Sequence, residues 1–439
     1  MSSKTKTTAT REETTPALLP KLRFPQFREE AGWGATILGE LSEVVRGGSP
    51  RPIDGFMTTS ADGLNWLKIG DVDKEAKFVT QTAEKVRREA LSKTRVVNPG
   101  DLILSNSMSF GRPYILQITT CIHDGWIAIT KISKKSNRDF LYYLISAPGS
   151  QSYFVDNAAG SGVQNLNADL IKALPVCFPT PAEQQKITEC LSSVDELMAA
   201  QARKVDALKT HKKGLMQQLF PREGETQPRL RFPEFQSAGE WVTAALGQLL
   251  VSSPDYGVNA AAVPFSERLP KYLRITDISE DGTYLSDKMV SVDIEPTEGN
   301  YLEEGDIALA RTGASVGKSY RYRKEDGRLV FAGFLIRIKP AKKKLVSAYL
   351  ANFLTTGLYW DWVAVTSARS GQPGINSTEY SSLTIPLPPG DLTEQQRIAD
   401  CLTSLDDLIA AQTQKLAALK THKQGLMQQL FPSPGAPIS

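Results

Sequence analysis

Only three histidines and four cysteines occur in the 439 residues, and neither type clusters. Cys121, Cys177, Cys190 and Cys401 lie far apart, with no C-x-x-C pair and no histidine at metal-ligand spacing. That argues against a bound metal and a disulfide framework, and it fits a reduced, cytoplasmic setting with free thiols. Long apolar runs are also missing: none approaches the roughly 20 residues needed to cross a bilayer. Residues 1–20, polar and Thr-rich, lack the apolar stretch of a secretion signal and read as a flexible tail. Charge of one sign does not dominate either. The formal net charge is +3, which permits a nucleic-acid partner without requiring one.

Catalytic signatures are equally scarce. There is no G-x-G-x-x-G after a strand, no G-x-S-x-G elbow and no H-E-x-x-H. One stretch, R-T-G-A-S-V-G-K-S from Arg311, approaches the loop that wraps ATP phosphates. That loop needs G-x-x-x-x-G-K-[ST], which would put its first glycine at Thr312; Gly313 is one residue too close. Asp101 and Asp306 sit in equivalent Gly-Asp turns and read as turn formers.

What the chain does contain is a copy of itself. Thr210 to Pro221 reads THKKGLMQQLFP, and Thr421 to Pro432 reads THKQGLMQQLFP, 211 positions later with one difference. At the same offset Glu183-Gln184-Gln185-Lys186-Ile187 answers Glu394-Gln395-Gln396-Arg397-Ile398. Looser echoes lie between: KLRFPQF from Lys21 and RLRFPEF from Arg229, W-L-K-I-G-D-V from Trp66 and Y-L-R-I-T-D-I from Tyr272. The near-nucleotide loop has a partner as well, SNSMSFGRPY from Ser105. A serine, Ser109 with Ser315, and the closing glycine, base and aromatic are shared, and no nucleotide motif survives in the first copy.

The length suggests two or three domains, and the repeat resolves them. Residues 1–20 form the tail, 21–180 the first globule and 181–220 a long helix. Residues 221–390 form the second globule, with a linker at 221–228; 391–431 form a second long helix and 432–439 a tail. The helices carry apolar residues at alternating steps of four and three. The first seam runs through Ile187, Leu191, Val194, Met198, Gln201, Val205 and Leu208; the second through Ile398, Leu402, Leu405, Ile409, Gln412, Leu416 and Leu419. At 1.5 Å per residue each helix is about 57 Å long, too long to bury its seam on one globule alone. Each helix is acid-rich at its start and base-rich after its middle, so antiparallel pairing neutralises both ends and suits each dipole. The expected fold is mixed α/β: two globules joined by an antiparallel coiled coil, related by a pseudo-twofold repeat, with Gln201 near Gln412. The alternative is two amphipathic helices, each packed within its own domain.

The duplicated order of globule, proline-rich exit, E-Q-Q-[KR]-I and long helix resembles the specificity subunit of type I restriction-modification enzymes. Leu174 to Ile187, Leu383 to Ile409, the two THKxGLMQQLFP ends and the G-D-I-x-L-x-R-T-G-x-x-V-G-K loop from Gly305 carry the likeness. The resemblance implies a non-catalytic subunit. Each globule would be a target recognition domain reading one part of a bipartite, asymmetric double-stranded DNA site. The helices would act as spacer and docking surface for two modification subunits. Those partners would bring S-adenosylmethionine and adenine-N6 methylation; two restriction subunits would bring ATP, Mg and cleavage. This chain would bind no cofactor itself, and no membrane. Candidate DNA contacts are Lys68 and Arg274, Arg112 and Lys318, Arg311 and Thr312 with Asn106 and Ser107 opposite them, and Gln164 and Gln372 in glycine-rich turns. Other classes predict other behaviour: a coiled-coil scaffold would show no DNA affinity, and a P-loop-like NTPase would bind ATP through Lys318.

Overall fold

The structure, a computed structural model, describes residues 19–106, 111–158, 166–368 and 373–432. The chain falls into two compact units. One contains the residues up to Ala200 and those from Lys415 onward; the other is Gln201–Gln414. Each unit therefore includes part of both long helices, Pro181–Leu219 and Thr393–Leu430.

In the first unit a five-stranded sheet runs in the order Glu43–Arg46, Trp126–Thr130, Leu102–Ser105, Pro113–Leu116, Phe78–Val79. Its central strands, L-I-L-S and W-I-A-I-T, are apolar almost throughout because both faces of the sheet are covered. Leu102, Leu104, Ile127 and Ile129 point toward a core shared with the helix Arg138–Ser146 and with Ile187, Leu191, Met427 and Leu430 of the long helices. Ile103, Trp126 and Ala128 take the other face, against Leu67, Val97 and Ile122 of a second five-stranded sheet. The period of two along each strand thus divides one apolar run between two cores.

The second unit repeats the plan with four strands per sheet. Its main sheet is ordered Asp255–Tyr256, Leu335–Ile338, Ile307–Ala310, Ser319–Arg321. Ile307, Leu309, Ile336 and Ile338 pack with Tyr349, Phe353, Met216, Leu219, Ile398 and Leu402. Trp360 and Trp362 lie partly buried against this core.

The long helices run antiparallel. In the second unit the Gln201 amide donates to Gln412 Oε1 at 3.0 Å and to its main-chain oxygen at 2.9 Å, and Lys212 Nζ lies 2.6 Å from Asp406. In the first unit Lys423 Nζ lies 2.6 Å from Asp195. Numbers rise along one helix as they fall along the other, and bases from one late half meet acids from the other early half. Every residue of the two seams is buried or half-buried, while most residues between them are exposed.

Gly214 and Gly425 interrupt these helices at equivalent positions, and nothing lies within 4 Å of where a Cβ would stand. Glycine in a helix interior costs about 1 kcal/mol relative to alanine. Gly214→Ala and Gly425→Ala are therefore each expected to raise stability by about 0.5–1 kcal/mol in urea unfolding of the full chain.

Candidate nucleic-acid interface

The two units share a backbone scaffold at one end of the main sheet, and main-chain hydrogen bonds prove the equivalence. Gly47 N donates to Trp126 O, as Gly257 N does to Leu335 O; Gly48 N donates to Ile122 O, as Val258 N does to Phe331 O. Asn106 N donates to Gly125 O and Arg311 N to Phe334 O, while the carbonyls of Asn106 and Arg311 accept from Leu166 N and Ile375 N. Gly111 N and Gly317 N close back on Ser105 O and Ala310 O. The scaffold requires its glycines. A Cβ at Gly47 would stand 2.1 Å from His123 O and one at Gly257 2.2 Å from Phe331 O, while Gly111 and Gly317 adopt φ of +67° and +88°.

This topology settles the nucleotide question. R-T-G-A-S-V-G-K-S joins two antiparallel neighbours, Ile307–Ala310 and Ser319–Arg321, through a short 3-10 turn at Gly313–Ser315. A phosphate-wrapping loop leads from a strand into a helix and uses the helix N-terminus; here a strand follows.

The side chains on the shared scaffold differ completely. In the first unit Asp124 is a hub. Its Oδ1 accepts from Ser49 Oγ at 2.7 Å, its Oδ2 from Arg51 at 3.2 Å, and its carbonyl from Arg46 Nε at 2.8 Å and Asn106 Nδ2 at 3.1 Å. The Ser49 hydrogen bond and the Arg51 charge hold the Asp124 carboxyl below its usual range. Arg95 Nε donates to the Arg46 carbonyl at 2.9 Å. Arg46, Arg51 and Arg95 all face solvent, Arg51 with 81% of its side chain exposed.

In the second unit Tyr256 stands where Arg46 does, Arg311 where Asn106 does and Phe334 where Gly125 does. Tyr256 is 44% exposed and Phe334 56%. The Arg311 guanidinium lies 4.9 Å from the Tyr256 ring centroid, and its Nε is buried without a hydrogen-bond partner among the described residues. The Tyr256 hydroxyl donates to Ser377 Oγ at 3.2 Å. Thr312 is half-buried and bridges to Gly374, so the R-T-G loop and the later glycine-rich turn meet.

The remaining expected contacts scatter. Asn106 is only 4% exposed, and its amide braces the Asp124 loop. The Arg274 guanidinium grips the buried Asp277 at 3.0 and 2.7 Å and closes its own turn. Lys68, its counterpart, pairs with Glu84 at 2.5 Å. Lys318 pairs with Glu280 at 2.7 Å. Arg112 lines a cleft of about 740 Å³ beside Tyr142, Lys420, Lys423 and Met427, with Glu75 at 3.9 Å from it. Ser107, Gln164 and Gln372 lie outside the described residues. Sequence reasoning missed the exposed Arg46, Arg51, Arg95, Tyr256 and Phe334, and a readable signal marks two of them. Arg46 and Tyr256 each precede a glycine whose backbone is pinned to the same sheet.

Among the described residues no helix is long and apolar enough to cross a membrane, and no group of three or more His, Cys, Asp or Glu is placed to hold a metal.

Residues 31–210 and 265–421 match the family model of the type I restriction modification DNA specificity domain. Among curated relatives the chain is similar to the type I restriction enzyme MjaVIII specificity subunit of Methanocaldococcus jannaschii, at 22% identity over 93% of each chain. It is also similar to the putative MjaX specificity subunit of the same organism, at 24% identity over 91% of this chain and 92% of that one. The fold resembles the type I restriction-modification S subunit from M. genitalium, with a TM-score of 0.57 and 15% identity over 94% of this chain and 99% of that one. A chain from a study of complex assembly and conformational transition of the type I R-M system gives a TM-score of 0.55 and 17% identity, over 92% and 98%.

Proposed function

Because the chain belongs to the type I restriction modification DNA specificity family, we propose that it selects the DNA sequence on which partner subunits act and performs no chemistry itself. Each unit reads one part of a bipartite, asymmetric site in double-stranded DNA through the glycine-pinned end of its main sheet. The antiparallel helices serve as spacer and as docking surface for two modification subunits, which carry S-adenosylmethionine and methylate adenine. Two restriction subunits, with ATP and Mg, complete the assembly in the cytoplasm.

One observation carries this reading: the same main-chain scaffold presents unrelated exposed side chains in the two units, whereas the helix ends THKxGLMQQLFP are nearly identical. Two identical partners docking on two copies of a helix hold its sequence constant. Two different DNA half-sites require different readers on equal supports. Base edges in the major groove are distinguished by exposed side chains, and phosphate contacts supply register and salt dependence.

Sequencing the methylome of cells that express this chain with its modification partner tests the reading. A bipartite adenine-methylated motif is the expected result; random or absent methylation refutes it. Lys318→Ala separately tests one expected phosphate contact. It should weaken binding to every DNA sequence equally and reduce the slope of log affinity against log salt by about one, measured by fluorescence anisotropy. An unchanged slope removes Lys318 from the interface.

A further inference from the structure

Equivalent positions on the two scaffolds carry opposite chemistry, and that difference bears on which bases each unit selects. In the first unit two exposed arginines, Arg46 and Arg51, contact Asp124, and a third, Arg95, contacts Arg46. Arg46 is held through Nε and Arg51 through Nη2, and among the described residues neither guanidinium makes a further hydrogen bond, so each has donors left for a partner. Arg95 braces the Arg46 carbonyl from beneath. A guanidinium held in this way matches the paired acceptors O6 and N7 of guanine, the commonest specific contact in the major groove.

The second unit presents no such fork at the same place. Tyr256 replaces Arg46 and Phe334 replaces Gly125, both with large exposed ring area. The Tyr256 hydroxyl is engaged by Ser377, so its ring is what it offers outward. Arg311 is half-buried against that ring, which positions Tyr256 and leaves the arginine's plane covered on one side. Apolar side chains at base edges distinguish thymine, whose C5 methyl is the apolar feature of the groove.

We propose that the two units read chemically different half-sites: the first selects a guanine through Arg46 and Arg51, and the second selects thymine methyl groups through Tyr256 and Phe334. The proposal rests on the reading that these sheet ends face DNA, and it adds the base class on each side. It also explains why one scaffold serves an asymmetric target. The backbone sets the distance to the groove, and three side-chain exchanges change what is accepted there.

The test uses the full chain with its modification partner in cells free of other adenine methylation, with methylome sequencing of the parent and of Arg46→Ala, Arg51→Ala, Tyr256→Ala and Phe334→Ala. The arginine variants should relax a guanine position in one half-site only, with discrimination there falling about fivefold to 150-fold. The aromatic variants should relax thymine-containing pairs in the other half-site only, by about fivefold or more. In each variant the unaltered half-site reports that the protein is folded and assembled. The proposal is overturned if the half-site changed by the arginine variants specifies no guanine, or if the aromatic variants leave both half-sites as in the parent. A bipartite motif in the parent keeps the function standing in either case. Absence of any bipartite motif overturns both.

Discussion

Arg231→Ala is expected to destabilise the second unit by about 3–5 kcal/mol, because it leaves the Glu394 carboxylate buried and unpaired. Glu394 is only 2% exposed. Arg231 donates to it through Nε at 2.8 Å and Nη2 at 2.7 Å, while Nη1 donates to the carbonyls of Ala238 and Gly239 at 2.8 and 3.0 Å. Two of these hydrogen bonds tie the R-L-R-F-P-E-F segment to the first turn of the second long helix, and the other two hold the chain that follows the segment. Lysine cannot substitute, since a single ammonium does not reproduce a planar fork serving two directions. The first unit repeats the device. Arg23 donates to Glu183 at 2.9 and 2.8 Å and to the carbonyls of Glu30 and Ala31, and the Glu183 hydrogen bond raises the Arg23 pKa above its usual value. The measurement is urea unfolding of the full chain, comparing Arg231→Ala, Glu394→Ala and the double apolar replacement Arg231→Met with Glu394→Leu. The double variant should regain most of the loss, because both buried charges are gone. Equal losses in all three would show that packing of the segment, and not the orphaned charge, decides the effect.

Gly257→Ala is expected to cost about 3 kcal/mol in the same unit, at the top of the range for overpacking a closed site. The added Cβ would stand 2.2 Å from Phe331 O and 2.4 Å from Ala332 O, both main-chain atoms of a neighbouring segment that has no rotamer to change. Relief requires the strand Asp255–Tyr256 to lift from Leu335–Ile338, which displaces Tyr256 itself. On the proposed function the variant loses recognition of the second half-site and keeps the first. Its contrast is Gly214→Ala, where the same methyl group meets open space. A Gly257→Ala protein as stable as the parent would mean that the chain crosses this point less tightly than the sheet register implies.

The E-Q-Q motif illustrates how much of the fold was legible beforehand and why part was not. Its repetition marks the start of each long helix. Its reason appears only in space: the first glutamine of each copy, Gln184 and Gln395, accepts from the main-chain N–H that opens a helix of its own unit, Asn137 N at 2.8 Å and Val346 N at 3.0 Å. The acid before it accepts from an arginine about 160 residues away. Sequence comparison between the halves showed that these residues are shared, and nothing in their spacing showed what they touch.

The expected DNA contacts divide along the same line. Arg311 and Thr312 lie at the sheet end with Gly374 because all three belong to loops that the repeat itself singled out. Arg274 is a candidate contact because it matches Lys68 across the W-L-K-I and Y-L-R-I repeat. Its guanidinium turns to Asp277 because a buried carboxylate three residues away is a stronger and nearer partner than solvent. Asn106 sinks into the Asp124 loop for a similar reason: its amide donates to the Asp124 carbonyl, which Arg46 Nε also meets.

The sequence by itself determined the internal repeat, the two long helices, their antiparallel direction and the lack of recognised catalytic motifs. Each depends on periodicity, charge order or residue type along a continuous stretch, and such local patterns survive translation into structure. Tertiary structure decided which residues gather at the end of each main sheet. Arg46, Arg51, Arg95 and Asp124 in one unit, and Tyr256, Arg311, Phe334 and Gly374 in the other, are gathered by strand register and glycine-pinned crossings. Those depend on how separate segments pair across a sheet, where a one-residue shift would turn each side chain to the opposite face.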